Sequence, residues 1–148
     1  MKKITLILLM ISTFTFGQEL SKNAETGIYE FSKIINSDQS DTIETFEKKL
    51  LRLNYSDIIT TDNSLTSEGT FTHLVMGNFP VEIKYRLIVS FKESKHKILL
   101  TGFIVSDQKA IPVPLEDLKS HTKKWIKNIN KKLPDILKAL ESNDNSGW

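Results

Sequence analysis

The chain has 148 residues, of which 39% are apolar and 26% are charged, with no cysteine and a formal net charge of +2. Lys2 and Lys3 account for that net charge, because the rest of the chain carries 18 acidic side chains and an equal number of basic ones. These totals argue against a polybasic nucleic-acid binder and against a disordered chain, and they leave no disulfide to stabilise the domain.

Residues 1–17 follow the order of a secretory signal. Two lysines precede the apolar run 4–11, and polar Ser12 and Thr13 lead to Gly17. The run is shorter than the roughly 20 residues that a membrane-spanning helix needs. We therefore expect a signal peptide and an exported domain, periplasmic or secreted. Without a cysteine after the run it is not a lipoprotein, and a buried N-terminal helix is the alternative.

The first half of the remaining chain predicts one strand and one helix. Residues 18–26 are polar and are expected to form a flexible lead-in, whereas residues 28–35 are rich in β-branched and aromatic side chains, which predicts a strand. A helix is expected to begin at Ser40 or Asp41, where Asp41 and Glu44 resemble a capping box. The apolar stripe of that helix is Ile43, Phe46, Leu50 and Leu53.

Four strands are predicted next, at residues 57–61, 69–76, 81–91 and 97–106. The third is the clearest, because apolar and polar residues alternate along almost its whole length. The polar connection before the fourth strand indicates a hairpin.

A last helix is predicted from Leu115, with Pro134 expected to kink it or to start a new segment. Residues 142–148 are expected to be a disordered tail. The order β-α-β-β-β-β-α predicts a single α+β domain over residues 27–141: an antiparallel sheet of about five strands with two helices packed on one face.

This layout resembles an exported bacterial family of unknown function with a TBP-like fold. The resemblance covers residues 27–129 and depends on IYEFSKII at 28–35, on the hairpin YRLIVSFKESKHKILLTGF at 85–103 and on an aromatic residue, Phe46, in the first helix. It implies a curved antiparallel sheet backed by helices. It implies neither DNA binding nor any catalytic residue.

The residues that could carry chemistry favour a protein that is not an enzyme. His73 in a strand, His96 in the hairpin turn and His121 in the last helix lack the close spacing of a metal site, so no metal, cofactor or catalytic residue is predicted. We expect His96 to be solvated. The alternative is a minor hydrolase in which His73 or His121 works with a nearby acid, such as Asp117 four residues before His121.

The outward face of the predicted hairpin is the candidate binding site. A two-residue turn at Ser94 and Lys95 would place Arg86 opposite Phe103 and would gather apolar side chains away from the core. The candidate binding residues are Lys84, Arg86, Ile88, Leu99, Phe103 and Val105. Exposed apolar surface of this kind marks a site for a partner protein or an amphipathic ligand. A covering segment or a shifted register is the alternative.

Basic side chains are concentrated in the second half of the chain. Several lie in the last helix, at Lys119, Lys123, Lys124 and Lys127. They keep its outer face solvated, and they also suggest a weak membrane-surface contact. Nucleic acid is not an expected partner of an exported, neutral chain, and the pattern favours no particular oligomeric state.

Overall fold

A computed structural model describes residues 19–36, 42–107 and 110–142 of the chain. The predicted signal peptide, residues 1–17, lies outside the described residues, as do the predicted helix start at Ser40 or Asp41 and the predicted tail beyond Ser142. No helix in the described part of the chain is long and apolar enough to cross a membrane.

Within residues 19–36, 42–107 and 110–142, seven antiparallel strands form the sheet. They are β1 (Ser21–Lys22), β2 (Tyr29–Asn36), β3 (Ser56–Thr60), β4 (Ser64–Val75), β5 (Phe79–Lys92), β6 (Lys95–Asp107) and β7 (Val113–Pro114). Their order is β1-β2-β6-β5-β4-β3, and β7 pairs with β6. The α+β class with an antiparallel sheet and two helices is confirmed. The strand count exceeds the predicted five because β1 and β7, of two residues each, lie in segments predicted as loops.

The first helix, α1 (Ile43–Arg52), begins at a threonine cap. The Thr42 Oγ1 accepts a hydrogen bond from the Thr45 backbone N–H at 3.3 Å, which satisfies one of the free donors at the helix start. The cap therefore lies one residue later than Asp41, and Glu44 instead pairs with Lys48 at 2.7 Å on the solvent side.

The second helix, α2 (Thr122–Glu141), is preceded by two short 3-10 turns at Leu115–Asp117 and Lys119–His121. The helix predicted from Leu115 thus begins seven residues later. Pro134 lies inside α2, so the helix is not divided into two segments there. The Pro134 side chain is on the exposed side of the helix, away from the core.

Both helices cover the same face of the sheet, and the core lies between them and the strands. Along β5 the side chains of Val81, Ile83, Tyr85, Leu87 and Val89 are buried, whereas the residues between them are exposed or half-buried. The helices contribute Phe46, Leu50, Ile129, Leu133, Ile136, Leu137 and Leu140. Each fully buried aliphatic side chain contributes about 1.5–3 kcal/mol of hydrophobic free energy, so the core alone can hold a chain that has no disulfide.

Residues 19–26, predicted as a flexible lead-in, instead pack on the domain. β1 pairs with β2, Leu20 is buried, and its N–H donates to Asn130 Oδ1 at 2.8 Å. The chain reverses between the two strands at Gly27, whose φ of +71° suits glycine. The prediction failed because one large apolar side chain, Leu20, gives no periodic signal in a polar stretch.

His96 is buried in an aromatic pocket, so the expectation of a solvated histidine is wrong. Lys92 pairs with Lys95, which places the turn at Glu93 and Ser94 and directs His96 toward the core. Its ring centroid lies 4.5 Å from that of Phe91 and 6.3 Å from that of Phe46. Neither ring nitrogen has a hydrogen-bond partner in the described part of the chain.

We expect His96→Leu to raise the free energy of unfolding by about 1 kcal/mol, because a buried polar group without a partner costs stability that an apolar side chain does not. Urea unfolding followed by circular dichroism measures the change. The control is His121→Leu at an exposed position, expected to stay within about 0.5 kcal/mol of the unmodified protein. A less stable His96→Leu would show that the imidazole is hydrogen-bonded.

Candidate functional site

A β-bulge at Gly102 shapes the outward face of the sheet. Thr101 pairs with Arg86, but the next regular pair joins Ile104 to Lys84, so β6 carries one extra residue at this point. Gly102 has a φ of +62°, which glycine adopts without the steric penalty of a side chain. The bulge exchanges the two faces of β6: even-numbered side chains are buried before it and odd-numbered ones after it.

The predicted outward placement of Phe103 and Val105 is therefore wrong. The Phe103 side chain is 0% exposed and that of Val105 is 7% exposed. The Phe103 ring stacks on Tyr85 in the core with 5.7 Å between ring centroids. The bulge moved these residues inward, because it interrupts the regular alternation that the prediction assumed. The turn at Glu93 and Ser94, one residue earlier than predicted, changes the partners of each residue but not the face on which it lies.

The other four predicted residues do lie on the outward face. Lys84 and Arg86 are exposed, and Ile88 pairs directly with Leu99, both half-buried. Two further apolar side chains lie on the same face and were not among the predicted binding residues. Ile34 is 65% exposed on β2 and Ile59 is 64% exposed on β3. Both belong to strands in which apolar side chains occur at either parity, so the pattern did not show which ones face outward.

A cavity of about 390 Å³ opens beside the bulge. The pairing of β2 with β6 ends at Leu100 and that of β7 begins at Ile104, so the cavity occupies the gap between these two strands along the edge of β6. A Cβ atom added at Gly102 would meet nothing within 4 Å, which shows the open space above the backbone. The cavity is lined by Ile28, Glu68, Lys84, Tyr85, Arg86, Thr101, Gly102, Phe103, Ile104, Pro114 and Glu116.

Two basic side chains line the cavity, Lys84 and Arg86, and they differ in their ion pairs with described residues. The Glu116 carboxylate accepts a hydrogen bond from the Tyr29 backbone N–H at 2.8 Å, and Lys84 lies 3.7 Å from Glu82 in an exposed pair of little energetic weight. Arg86 forms no ion pair with any residue in the described ranges, although Glu68 is its direct cross-strand neighbour. The guanidinium is thus free to bind an anionic group.

The histidines do not converge on this cavity. The His73 ring packs against Trp125 with 5.8 Å between centroids, and His121 is exposed at the start of α2. Asp117 and His121 lie in separate 3-10 turns, which removes the helical spacing expected between them. Among the described residues there is no group of three side chains that could hold a metal ion.

Comparison with known proteins identifies the fold. No protein-family profile and no curated protein matches the chain. A crystal structure of a DUF4468 family protein from Bacteroides ovatus is similar, with a TM-score of 0.61 and 14% identity, over 81% of this chain and 90% of that one. A TBP-like protein from Parabacteroides distasonis gives a TM-score of 0.57 and 12% identity over 82% and 97% of the two chains. The chain therefore has the TBP-like α+β fold that its sequence rhythm resembles.

Proposed function

We propose that this protein is an exported, non-enzymatic binding module that takes an amphipathic ligand with one anionic group, free or displayed by a partner protein. The observation that supports this proposal is the cavity at the Gly102 bulge, where the guanidinium of Arg86, without an ion pair to any described residue, lies beside apolar walls. Its volume falls within the range of about 300–1,000 Å³ found for small-molecule sites.

Each part of the cavity would contact a different part of the ligand. The planar guanidinium of Arg86 suits a carboxylate, sulfonate or phosphate, which it can bind through two parallel hydrogen bonds. Ile28, Ile104 and Pro114 offer apolar surface, and Gly102 lets the ligand approach the backbone. Glu68 would repel a second negative charge. The ligand class is therefore an apolar body with a single anionic end.

The remaining parts of the proposal come from the sequence. The signal-like residues 1–17 support export to the periplasm or the medium. A chain that is neutral outside this leader lacks the excess of cations that binding to a phosphate backbone requires, so nucleic acid is not among the proposed partners.

The first experiment uses anilinonaphthalene sulfonate, a fluorescent probe with an apolar body and one anionic group. We expect Arg86→Gln to weaken binding of the probe about tenfold or more, because hydrogen bonds to charged groups contribute about 1.5–3 kcal/mol. Fluorescence titration of the folded protein measures the dissociation constant. Lys97→Gln is the matched control, since Lys97 is exposed on the same face of β6 and lies outside the cavity lining.

A second variant tests the cavity itself rather than its charge. Thr101 lines the cavity and pairs with Arg86 on the outward face, so Thr101→Phe would fill the space without entering the core. We expect binding to be lost while cooperative unfolding is retained. Equal affinity in Arg86→Gln, Thr101→Phe and the Lys97→Gln control would contradict the proposal.

A further inference from the structure

One end of the sheet exposes four large apolar side chains, which we name the apolar tip. They are Leu74, Met76, Phe79 and Ile111, with exposed fractions of 56%, 86%, 65% and 84%. Met76 lies in the tight turn between β4 and β5, where it and Gly77 both have positive φ. Single exposed apolar residues are common, but four at one end of a small domain are a concentration of the kind that marks an interaction site.

Strand pairing brings these residues to the same end. Val75 pairs with Phe79 across the turn, and Val81, two residues further along β5, pairs with Asp107 at the end of β6. The chain then returns to β7, where Val113 pairs with Val105, so Ile111 lies in the loop at this end of the sheet. The apolar tip therefore combines Leu74 and Phe79 from the last pairs of β4 and β5, Met76 from the turn between them, and Ile111 from the segment just before β7.

The beginning of α2 adds positive charge at this end. Its Trp125 ring packs on His73, and His73 pairs with Val81 beside the tip. Lys123 and Lys124, in the first turn of α2, are exposed, as is Lys119 in the preceding 3-10 turn. None of the three forms an ion pair with another described residue. The neighbouring acids are Glu82, Asp107 and Asp117. Glu82 faces Lys84, and the Asp107 carboxylate accepts the Ala110 N–H.

The position of these lysines is unfavourable for the helix itself. The first turn of α2 contains no acidic residue, and the partial positive charge of a helix N-terminus repels cations. The positions of Lys123 and Lys124 in the first turn therefore do not stabilise α2. A negatively charged surface adjacent to the tip would offset this repulsion.

We propose that the apolar tip inserts into the headgroup region of an anionic lipid bilayer, with Lys119, Lys123 and Lys124 contacting the lipid phosphates. Exposed apolar side chains combined with basic ones are typical of protein surfaces that lie in a bilayer interface. Trp125 is of the residue type enriched at that interface, and each lysine near an anionic surface adds to the attraction. The tip shares no residue with the cavity lining, so this inference is independent of the proposed ligand site.

Vesicle sedimentation tests the proposal. The chain without residues 1–17 is mixed with vesicles of phosphatidylcholine alone or of phosphatidylcholine with phosphatidylglycerol, and the bound fraction is measured. We expect binding to the anionic vesicles only. The double variant Met76→Ser with Phe79→Ser should weaken it about tenfold or more, because two apolar side chains no longer leave water.

Two control variants distinguish binding through the apolar tip from nonspecific adsorption to the vesicles. Ile34→Ser with Ile59→Ser removes two apolar residues elsewhere that are 65% and 64% exposed, and it should leave vesicle binding unchanged. Lys123→Glu with Lys124→Glu should weaken binding, whereas Lys131→Glu, exposed further along α2, should not. Absence of vesicle binding, equal loss in the tip and control variants, or a tip variant that alters only self-association in analytical ultracentrifugation would overturn the proposal.

Discussion

Phe103→Ala is expected to lower the free energy of unfolding by about 3–5 kcal/mol, the range for removing a large aromatic side chain from a packed core. The Phe103 side chain is fully buried and stacks on Tyr85, so truncation leaves a cavity beside a neighbour that is itself buried. Urea unfolding monitored by circular dichroism measures the loss, and a domain of ordinary stability would be close to its folding limit.

The matched control is Ile34→Ala on the outward face, expected to change stability by less than about 1 kcal/mol because that side chain is 65% exposed. The pair of variants distinguishes the two placements of Phe103. A loss of less than about 1 kcal/mol for Phe103→Ala, equal to that for Ile34→Ala, would contradict the buried placement of the ring.

Gly69→Ala is expected to destabilise the protein by about 3 kcal/mol or more, although it adds only one methyl group. An ideal Cβ at Gly69 would lie 2.5 Å from Tyr85 Cζ and 2.7 Å from Tyr55 Cε1, closer than real contacts allow. The two tyrosine hydroxyls are 2.7 Å apart, and burial raises the pKa of both phenols, so each stays neutral and the pair is held by a hydrogen bond. Overpacking would separate them.

Thermal and urea unfolding of Gly69→Ala measure this effect, and Gly77→Ala supplies the comparison. A Cβ at Gly77 meets nothing within 4 Å, so only its φ of +78° opposes the substitution, at a cost of about 1–2 kcal/mol. Equal destabilisation by the two variants would mean that the tyrosine pair moves aside without strain.

The strands and helices were predictable because each buries one face over several periods. β5 alternates strictly, and α1 repeats Phe46 and Leu50 at helical spacing, so local pattern and tertiary burial agree. β1 and β7 have two residues each, which is too short for any period to appear. The start of α2 was placed too early because Leu115 is apolar and fully buried yet belongs to a 3-10 turn.

The candidate site was only partly predictable, and one residue explains why. Alternation along a strand predicts which side chains face the core only while the pairing register is uninterrupted. At Gly102 the bulge changes the register, so the residues after it face the opposite side. The sequence contains one part of the signal, since an isolated glycine within a strand is typical of a bulge. Apolar residues stand at both parities before and after Gly102, so the pattern itself did not show the exchange. The cavity could not be predicted from the sequence, because residues remote in sequence, such as Ile28, Arg86 and Pro114, form its wall.

The strand order also has a consequence for how the chain folds. β3, β4, β5 and β6 follow one another in sequence and in space, so each of these hairpins closes a short loop and can form early. β2 instead pairs with β6, which is distant in sequence, so this pairing closes a long loop. We therefore expect β2 to pair after the hairpins have formed. The nascent sheet therefore exposes the β6 edge until β2 docks. During that interval the edge is open to mispairing between molecules.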